Sequence, residues 1–136
     1  MTNKDTSLIK RWMDEVWNQG REDAIDQLLD PNAIVHGIEG IDKPGPAGFK
    51  IFHRSFKEQF PTIDITVDHV VTEEDFETAR CTVNGINAAG QSVHFTGMTQ
   101  VRISNGKITE GWNYFDFKSM YEQLGFRMML AEEMPS

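Results

Sequence analysis

Cysteine is almost missing from this sequence, which holds Cys81 alone among 136 residues. A single thiol cannot form a disulfide within the chain, so the fold must be held together by its apolar core. Cys81 lies in a segment where apolar and polar residues alternate, and this alternation places it on the apolar side. We interpret it as a small buried thiol and not as a nucleophile.

Positive charge and long apolar runs are also scarce. The sequence has 13 Lys and Arg against 21 Asp and Glu, a formal net charge of −8. Binding to phosphates requires a field of the opposite sign, so nucleic acid is not expected as a partner. The apolar runs fall far short of the roughly 20 residues that cross a bilayer, and the first residues lack the apolar core of a signal peptide. We expect a cytoplasmic protein with no membrane partner.

The common motifs for metals, nucleotides and reactive serines do not occur. The four histidines show no HxH or HExxH spacing, and they have no cysteine partner for a metal. No GxGxxG, P-loop or GxSxG pattern is found. We therefore expect neither a metal nor a cofactor.

The first 60 residues show the apolar spacing of helices. Ile9, Trp12, Met13, Val16 and Trp17 follow the i, i+3, i+4, i+7, i+8 pattern of an amphipathic helix with a bulky apolar face. Two further helices are predicted, a short one with Ile25, Leu28 and Leu29, and a Phe-rich one with Phe49, Phe52, His53, Phe56 and Phe60 that ends at Pro61.

Beyond Pro61 the apolar residues alternate with a period of two, which predicts a meander of four strands over residues 63–71, 76–86, 91–103 and 107–117. Asn105 and Gly106 favour a two-residue hairpin turn between the last two strands. Long strands twist and coil strongly, which leaves a concave face for the helices to cover. The sequence predicts one α+β domain over residues 1–136, a curved antiparallel sheet forming a cone roofed by the N-terminal helices around a central pocket.

Short segments spread over nearly the whole chain resemble a known family. The C-terminal hairpin carries FTG at 95–97, VRI at 101–103, NGKI at 105–108 and EGWNYFD at 110–116. Ahead of it, in the family's order, come the helix with tryptophans, His36 in a short strand at 33–38, Gly48 with Phe49, and Phe60 with Pro61. These features resemble the SnoaL-like polyketide cyclases, whose cone fold is shared with nuclear transport factor 2 and ketosteroid isomerase.

The resemblance implies this cone fold and a homodimer with the sheets back to back. It also implies that Asp116, at a position where family members use an aspartate, is the general acid/base, and that His36 polarises a carbonyl or orients Asp116. Desolvation behind an aromatic strand end would raise the pKa of Asp116 toward a useful value. The alternative is that Asp116 only caps the helix that follows it, and His36 has a structural alternative as well.

Residues for the pocket wall follow from counting back from the predicted turn. The count gives three cross-strand pairs, Thr99 with Trp112, Gly97 with Tyr114 and Phe95 with Asp116. Trp112 and Tyr114 then face the pocket with Asp116, unless a bulge reverses the order. Gln100 would face away, but it stays a candidate because related cyclases place polar residues on this strand. The other candidates for substrate binding are Met13, Trp17, Phe52, His53 and Phe56, with core packing as the alternative for each.

Two functions remain open. The first is a cofactor-free polyketide cyclase or isomerase, in which Asp116 moves a proton next to a carbonyl while His36 and Tyr114 stabilise the enolate oxygen of an apolar carbonyl compound. The second is a non-catalytic module of the same fold that holds a hydrophobic small-molecule ligand or serves in dimerisation.

Overall fold

The structure, a computed structural model, describes residues 7–134. The first helix begins as α1 (Leu8–Arg11) and continues directly as a π-helix (Trp12–Asn18). The other helices are α2 (Asp23–Leu28), α3 (Gly45–Gln59), α4 (Phe117–Gln123) and a short 3₁₀ turn (Ala131–Glu133). The strands are β1 (Leu29–His36), β2 (Thr62–Glu73), β3 (Phe76–Ile86), β4 (Ser92–Ser104) and β5 (Lys107–Phe115).

The five strands form one curved, unclosed sheet in the order β1-β5-β4-β3-β2. Strands β2 to β5 make the predicted antiparallel meander, so the α+β fold with helices over one sheet face is confirmed. The sheet is mixed, however, because β1 begins at Leu29 and pairs in parallel with β5. Pro31 is tolerated within β1 because this strand lies at the edge of the sheet, where a missing amide donor need not break a ladder.

The hairpin between β4 and β5 contains the predicted tight turn and a bulge that was not placed from the sequence. Asn105 and Gly106 have φ values of 53° and 75°, the positive pair that a type I′ turn requires. Thr109 is an extra residue, since Ile103 pairs with Ile108 while Arg102 pairs with Glu110. One extra residue reverses which side chains point inward.

As a result, the predicted inner face of β5 is wrong. Thr99 pairs with Asn113 and Gln100 pairs with Trp112, one residue away from the predicted register. Gly111, Asn113 and Phe115 lie on the cavity side of β5.

The first helix and α3 cover the concave face of the sheet through aromatic contacts. The rings of Trp12 and Phe49 meet edge to face at 4.9 Å between centroids, and those of Trp17 and Phe56 meet at 5.5 Å. Edge-to-face packing of this kind is a preferred aromatic geometry. The amphipathic stripe read from the sequence is therefore the face that closes the cone.

A buried carboxylate of the sheet holds the start of the first helix. Glu77, at the inner face of β3, is only 7% exposed. Its Oε1 accepts hydrogen bonds from the Ser7 hydroxyl (2.8 Å) and the Ile9 amide (3.1 Å), and its Oε2 accepts one from the Leu8 amide (3.1 Å). Because the first amides of a helix have no partner within the helix, Glu77 satisfies donors that would otherwise be buried and unpaired.

Candidate ligand-binding site

One apolar cavity of about 80 Å³ lies between the inner face of the sheet and the helices that cover it. Its helical walls come from the first helix (Ile9, Trp12, Met13, Trp17), from α3 (Phe49, Phe52, Phe56) and from Phe117 at the start of α4. The sheet contributes aliphatic and aromatic side chains from every strand, including Val35, Ile65, Val83, Phe95 and Val101. A lining of this composition favours a compact apolar ligand.

Apart from the tryptophan indoles, the cavity has two polar side chains, Thr99 on β4 and Asn113 on β5. The Thr99 hydroxyl donates to Asn113 Oδ1 (3.0 Å), and Asn113 Nδ2 donates to the carbonyl of His36 (3.0 Å). A carbonyl can only accept, so it fixes the orientation of the Asn113 amide. One Nδ2–H of Asn113 and the lone pairs of the Thr99 hydroxyl remain for a molecule in the cavity.

Within residues 7–134, no ionisable side chain lines this cavity. The wall therefore offers hydrogen bonds and apolar surface, but no group that could take up or release a proton near pH 7. A charged ligand would find no counter-charge there, and burying an unpaired charge is strongly unfavourable. The arrangement suits an uncharged ligand with one polar oxygen.

Four of the predicted binding residues lie in the cavity wall. Met13 and Trp17 line it from the π-helix, and Phe52 and Phe56 line it from α3. They face inward because the apolar stripes of the two helices face each other and the sheet. Their part in binding a substrate stays a prediction.

His53 is buried beside the cavity but is not part of its wall, which corrects its predicted position. Its ring lies 4.8 Å from that of Trp17, and its Nε2 hydrogen-bonds the carbonyl of Val16 at 2.7 Å. The carbonyls in the last turn of a helix have no amide donor within the helix, and His53 supplies a donor to the carbonyl of Val16. Burial lowers the pKa of His53 and outweighs the opposing effects of the Val16 hydrogen bond and the Glu22 carboxylate.

Asp116 lies outside the cavity, at an exposed position beyond the end of β5, which corrects the predicted placement. Its carboxylate accepts a hydrogen bond from the amide of Ser119 (3.0 Å) and caps α4. Its own amide donates to the carbonyl of Thr96 (3.0 Å). This geometry matches the alternative in which Asp116 caps the helix that follows it.

The other candidates on β1, β4 and β5 lie on the outer face of the sheet, and for Trp112 and Tyr114 the cause is the bulge at Thr109, which turns their side chains outward. His36 Nε2 is 2.7 Å from a carboxylate oxygen of Glu110, and its ring stacks on Trp112 at 5.6 Å. Gln100 Nε2 donates to the Thr78 hydroxyl (3.0 Å). Tyr114 is 74% exposed. The predicted placement of His36, Trp112 and Tyr114 at the pocket is thus corrected. Gln100 faces away from the pocket as the strand count predicted, so its candidacy by resemblance is what the structure corrects.

Sequence reasoning missed Asn113 and Gly111, which the structure places in the wall. Both are on β5, two residues apart, and they face inward only because of the bulge. Thr99 was assigned to the inner face, but with the wrong partner. The available signal was a pair of polar residues, one on each strand, at opposing positions of the otherwise apolar inner face of the hairpin. Recognising it required the correct strand register.

The described residues contain neither a cluster of metal ligands nor a helix suited to cross a membrane. Among residues 7–134, no group of three or more His, Cys, Asp or Glu side chains is arranged to hold a metal ion. In the same residues, no helix combines the length and the apolar character needed to cross a membrane.

The curved sheet, the helices over its concave face and the apolar cavity between them define a cone-fold domain. The family model for SnoaL-like polyketide cyclases matches residues 7–124. The chain therefore belongs to the SnoaL-like polyketide cyclase family, as the sequence motifs indicated. None of the curated proteins matches the chain significantly.

Solved structures of other proteins share this fold. A Bacillus cereus ATCC 10987 protein, provisionally assigned as a polyketide cyclase, is 25% identical with a TM-score of 0.80, covering 89% of this chain and 80% of its own. IdmH from Streptomyces antibioticus, with the same provisional assignment, is 22% identical (TM-score 0.75; 91% and 100% covered). TsrD from Streptomyces laurentii is 21% identical (TM-score 0.77; 92% and 98% covered). The similarity to IdmH and TsrD shows the fold alone.

Proposed function

We propose that this chain binds an uncharged, largely apolar small molecule that carries a carbonyl or hydroxyl oxygen. The observation that carries the proposal is the pairing of Thr99 with Asn113 in a cavity wall that is otherwise apolar. An isolated polar pair in such a wall is costly unless its hydrogen-bonding capacity is used, and a ligand oxygen would use the Nδ2–H that remains on Asn113.

The apolar wall would supply most of the affinity, and the polar pair would orient the ligand. Trp17, Phe52 and Phe56 offer flat faces and edges to an aromatic or alicyclic ligand, and their burial against it is favourable in proportion to the apolar area removed from water. Asn113 would fix the carbonyl at one end. Selectivity for a neutral ligand follows because an ionised group would be desolvated without a partner.

Acetophenone tests this proposal, with ethylbenzene and benzoate as analogues that lack the carbonyl or carry a charge. We expect acetophenone to bind best and benzoate not to bind, by calorimetry or by quenching of tryptophan fluorescence. Asn113→Leu should weaken acetophenone binding about three- to tenfold, the loss of one neutral hydrogen bond, with ethylbenzene unaffected. Thr99→Val is a second, nearly isosteric variant.

Gln100→Leu is the matched control, because it replaces an amide by leucine one residue from Thr99 but on the outer face. Its affinity for acetophenone should equal that of the wild type. Wild-type protein that binds benzoate as well as acetophenone, or an Asn113→Leu variant with undiminished preference for the ketone, would contradict the proposal.

Acid/base catalysis as a cyclase or isomerase is the second candidate, and the family match over residues 7–124 is the observation in its favour. Asp116 and His36, the ionisable candidates, would have to reach a substrate from outside the cavity, since one caps α4 and the other pairs with Glu110. The cavity geometry therefore favours binding. Turnover of a β-keto ester by the wild type that Asp116→Asn abolishes would favour catalysis instead.

We further propose that two copies of the chain associate through the outer sheet face. This face exposes Met98 (50%) and Tyr114 (74%) in a shallow hollow that also holds Arg80 and Asp116. The face carries apolar surface and charges of both signs, so it can complement a second copy of itself. A two-fold axis would bring Arg80 of one copy toward Asp116 of the other.

Analytical ultracentrifugation at micromolar concentration tests this association. The wild type should sediment with about twice the 15.5 kDa mass of one chain. Met98→Glu should shift it to the monomer, because two charges would be buried near the axis. Ile51→Glu, at an equally exposed apolar residue of α3, should leave the dimer intact. A monomeric wild type would contradict the proposed dimer.

A further inference from the structure

The inner face of β5 has a gap in its side chains at Gly111. This residue is buried and lines the cavity, between Val35 of β1 and Val101 of β4, with which it pairs. A Cβ built on Gly111 would have its nearest neighbours at 3.9 Å (Val101 Cγ1) and 4.0 Å (the Gln100 carbonyl oxygen). These are ordinary contact distances, so space for a side chain exists there.

The backbone does not explain why this position is glycine. Gly111 is not among the glycines with positive φ, so an L-residue could adopt its conformation. Gly97, on the same face of β4, is different, because its Cβ would lie 2.3 Å from the Phe115 ring and 2.7 Å from the Phe115 Cα. Glycine within a strand weakens the strand, and packing requires it at Gly97 but not at Gly111.

We propose that Gly111 determines the size of the ligand by leaving a recess between Val35 and Val101 for part of it. This inference rests on the proposed function, because it takes the ligand oxygen to lie at Asn113. Two residues along a strand span about 7 Å, so the recess lies beyond the first ring attached to the carbonyl group, roughly where the second ring of a fused bicyclic ketone begins. The ligand class is then a neutral ketone or alcohol with a rigid apolar part of that length.

Two ketones that differ by one fused ring, acetophenone and 2-acetylnaphthalene, test the recess. Wild-type protein should bind 2-acetylnaphthalene about tenfold more tightly, because the second ring buries further apolar surface. Gly111→Ala should reduce that preference. Gly111→Val should remove it while acetophenone still binds. Far-UV circular dichroism and melting curves check that the variants fold.

Val35→Ala provides the converse variant, since it widens the same recess. Val35→Ala should increase the preference for 2-acetylnaphthalene over acetophenone. If Gly111→Val is too unstable to measure, Val35→Ala and Gly111→Ala still test the recess. A preference that stays at the wild-type value in Gly111→Ala and Val35→Ala would overturn the role of Gly111. Failure of the wild type to bind either ketone would instead overturn the proposed function, so the two failures are distinguishable.

Discussion

Glu77→Ala should destabilise the folded protein by about 3 kcal/mol. The change removes three hydrogen bonds at the start of the first helix and leaves the amides of Leu8 and Ile9 buried without acceptors. Each buried, unpaired donor costs about 1–3 kcal/mol, and loss of a favourable charge at a helix N-terminus adds to this. Chemical denaturation, followed by circular dichroism, measures the free energy of unfolding.

Glu77→Gln and Glu73→Ala serve as controls for this prediction. Glutamine keeps one acceptor oxygen but turns an amide donor toward the helix amides, so we expect an intermediate loss of about 1–2 kcal/mol. Glu73 is exposed near the end of β2, and its replacement should change stability by less than about 0.5 kcal/mol. Equal stability of Glu77→Ala and wild type would show that the cap contributes nothing.

His53→Leu should lower stability at pH 7 by about 2 kcal/mol, because the buried carbonyl of Val16 loses its donor. The variant should also change the pH dependence of unfolding. In the wild type, burial lowers the pKa of folded His53 below its ordinary value of 6.5. As the pH is lowered, His53 is therefore protonated in the unfolded chain before it is protonated in the folded protein. The free energy of unfolding is highest above pH 6.5 and falls as the pH drops toward the lowered pKa.

The pH test compares the free energy of unfolding at pH 7.5 and at pH 5.5. The wild type and His69→Leu, whose histidine is exposed, should both lose stability over this range. His53→Leu should lose less. Arginine partners lower the pKa values of three carboxylates, Glu15, Glu22 and Asp23. These groups affect stability only below about pH 4.5, which is outside the pH range of this comparison. A pH dependence that survives unchanged in His53→Leu would contradict the assignment to this histidine.

The fold was predictable because its main signals are local. The helical stripe from Ile9 to Trp17 and the positive-φ pair Asn105 and Gly106 each act within a few residues of sequence. The π-helix was not predictable from this stripe, since apolar spacing does not distinguish hydrogen bonds to the fourth and to the fifth residue. The parallel pairing of β1 with β5 joins residues far apart in the sequence, and no local pattern carries it.

The candidate site was predicted only in its helical part. Met13, Trp17, Phe52 and Phe56 were placed correctly in the wall, because a helix face follows directly from residue spacing. The strand part failed at Thr109, where a single bulged residue moved Asp116, Trp112 and Tyr114 outward. Nothing in the residue types at 107–110 marks that bulge, and every inference about the face of β5 depended on it.

The most direct test of the account is the carbonyl stretching frequency of ¹³C=O-labelled acetophenone bound to the protein, measured by infrared difference spectroscopy. A hydrogen bond from Asn113 Nδ2 should lower this frequency relative to acetophenone in hexane, and Asn113→Leu should return it toward the hexane value. A hexane-like frequency in the wild type, or the same lowered frequency in both proteins, would contradict binding of the ligand oxygen at Asn113.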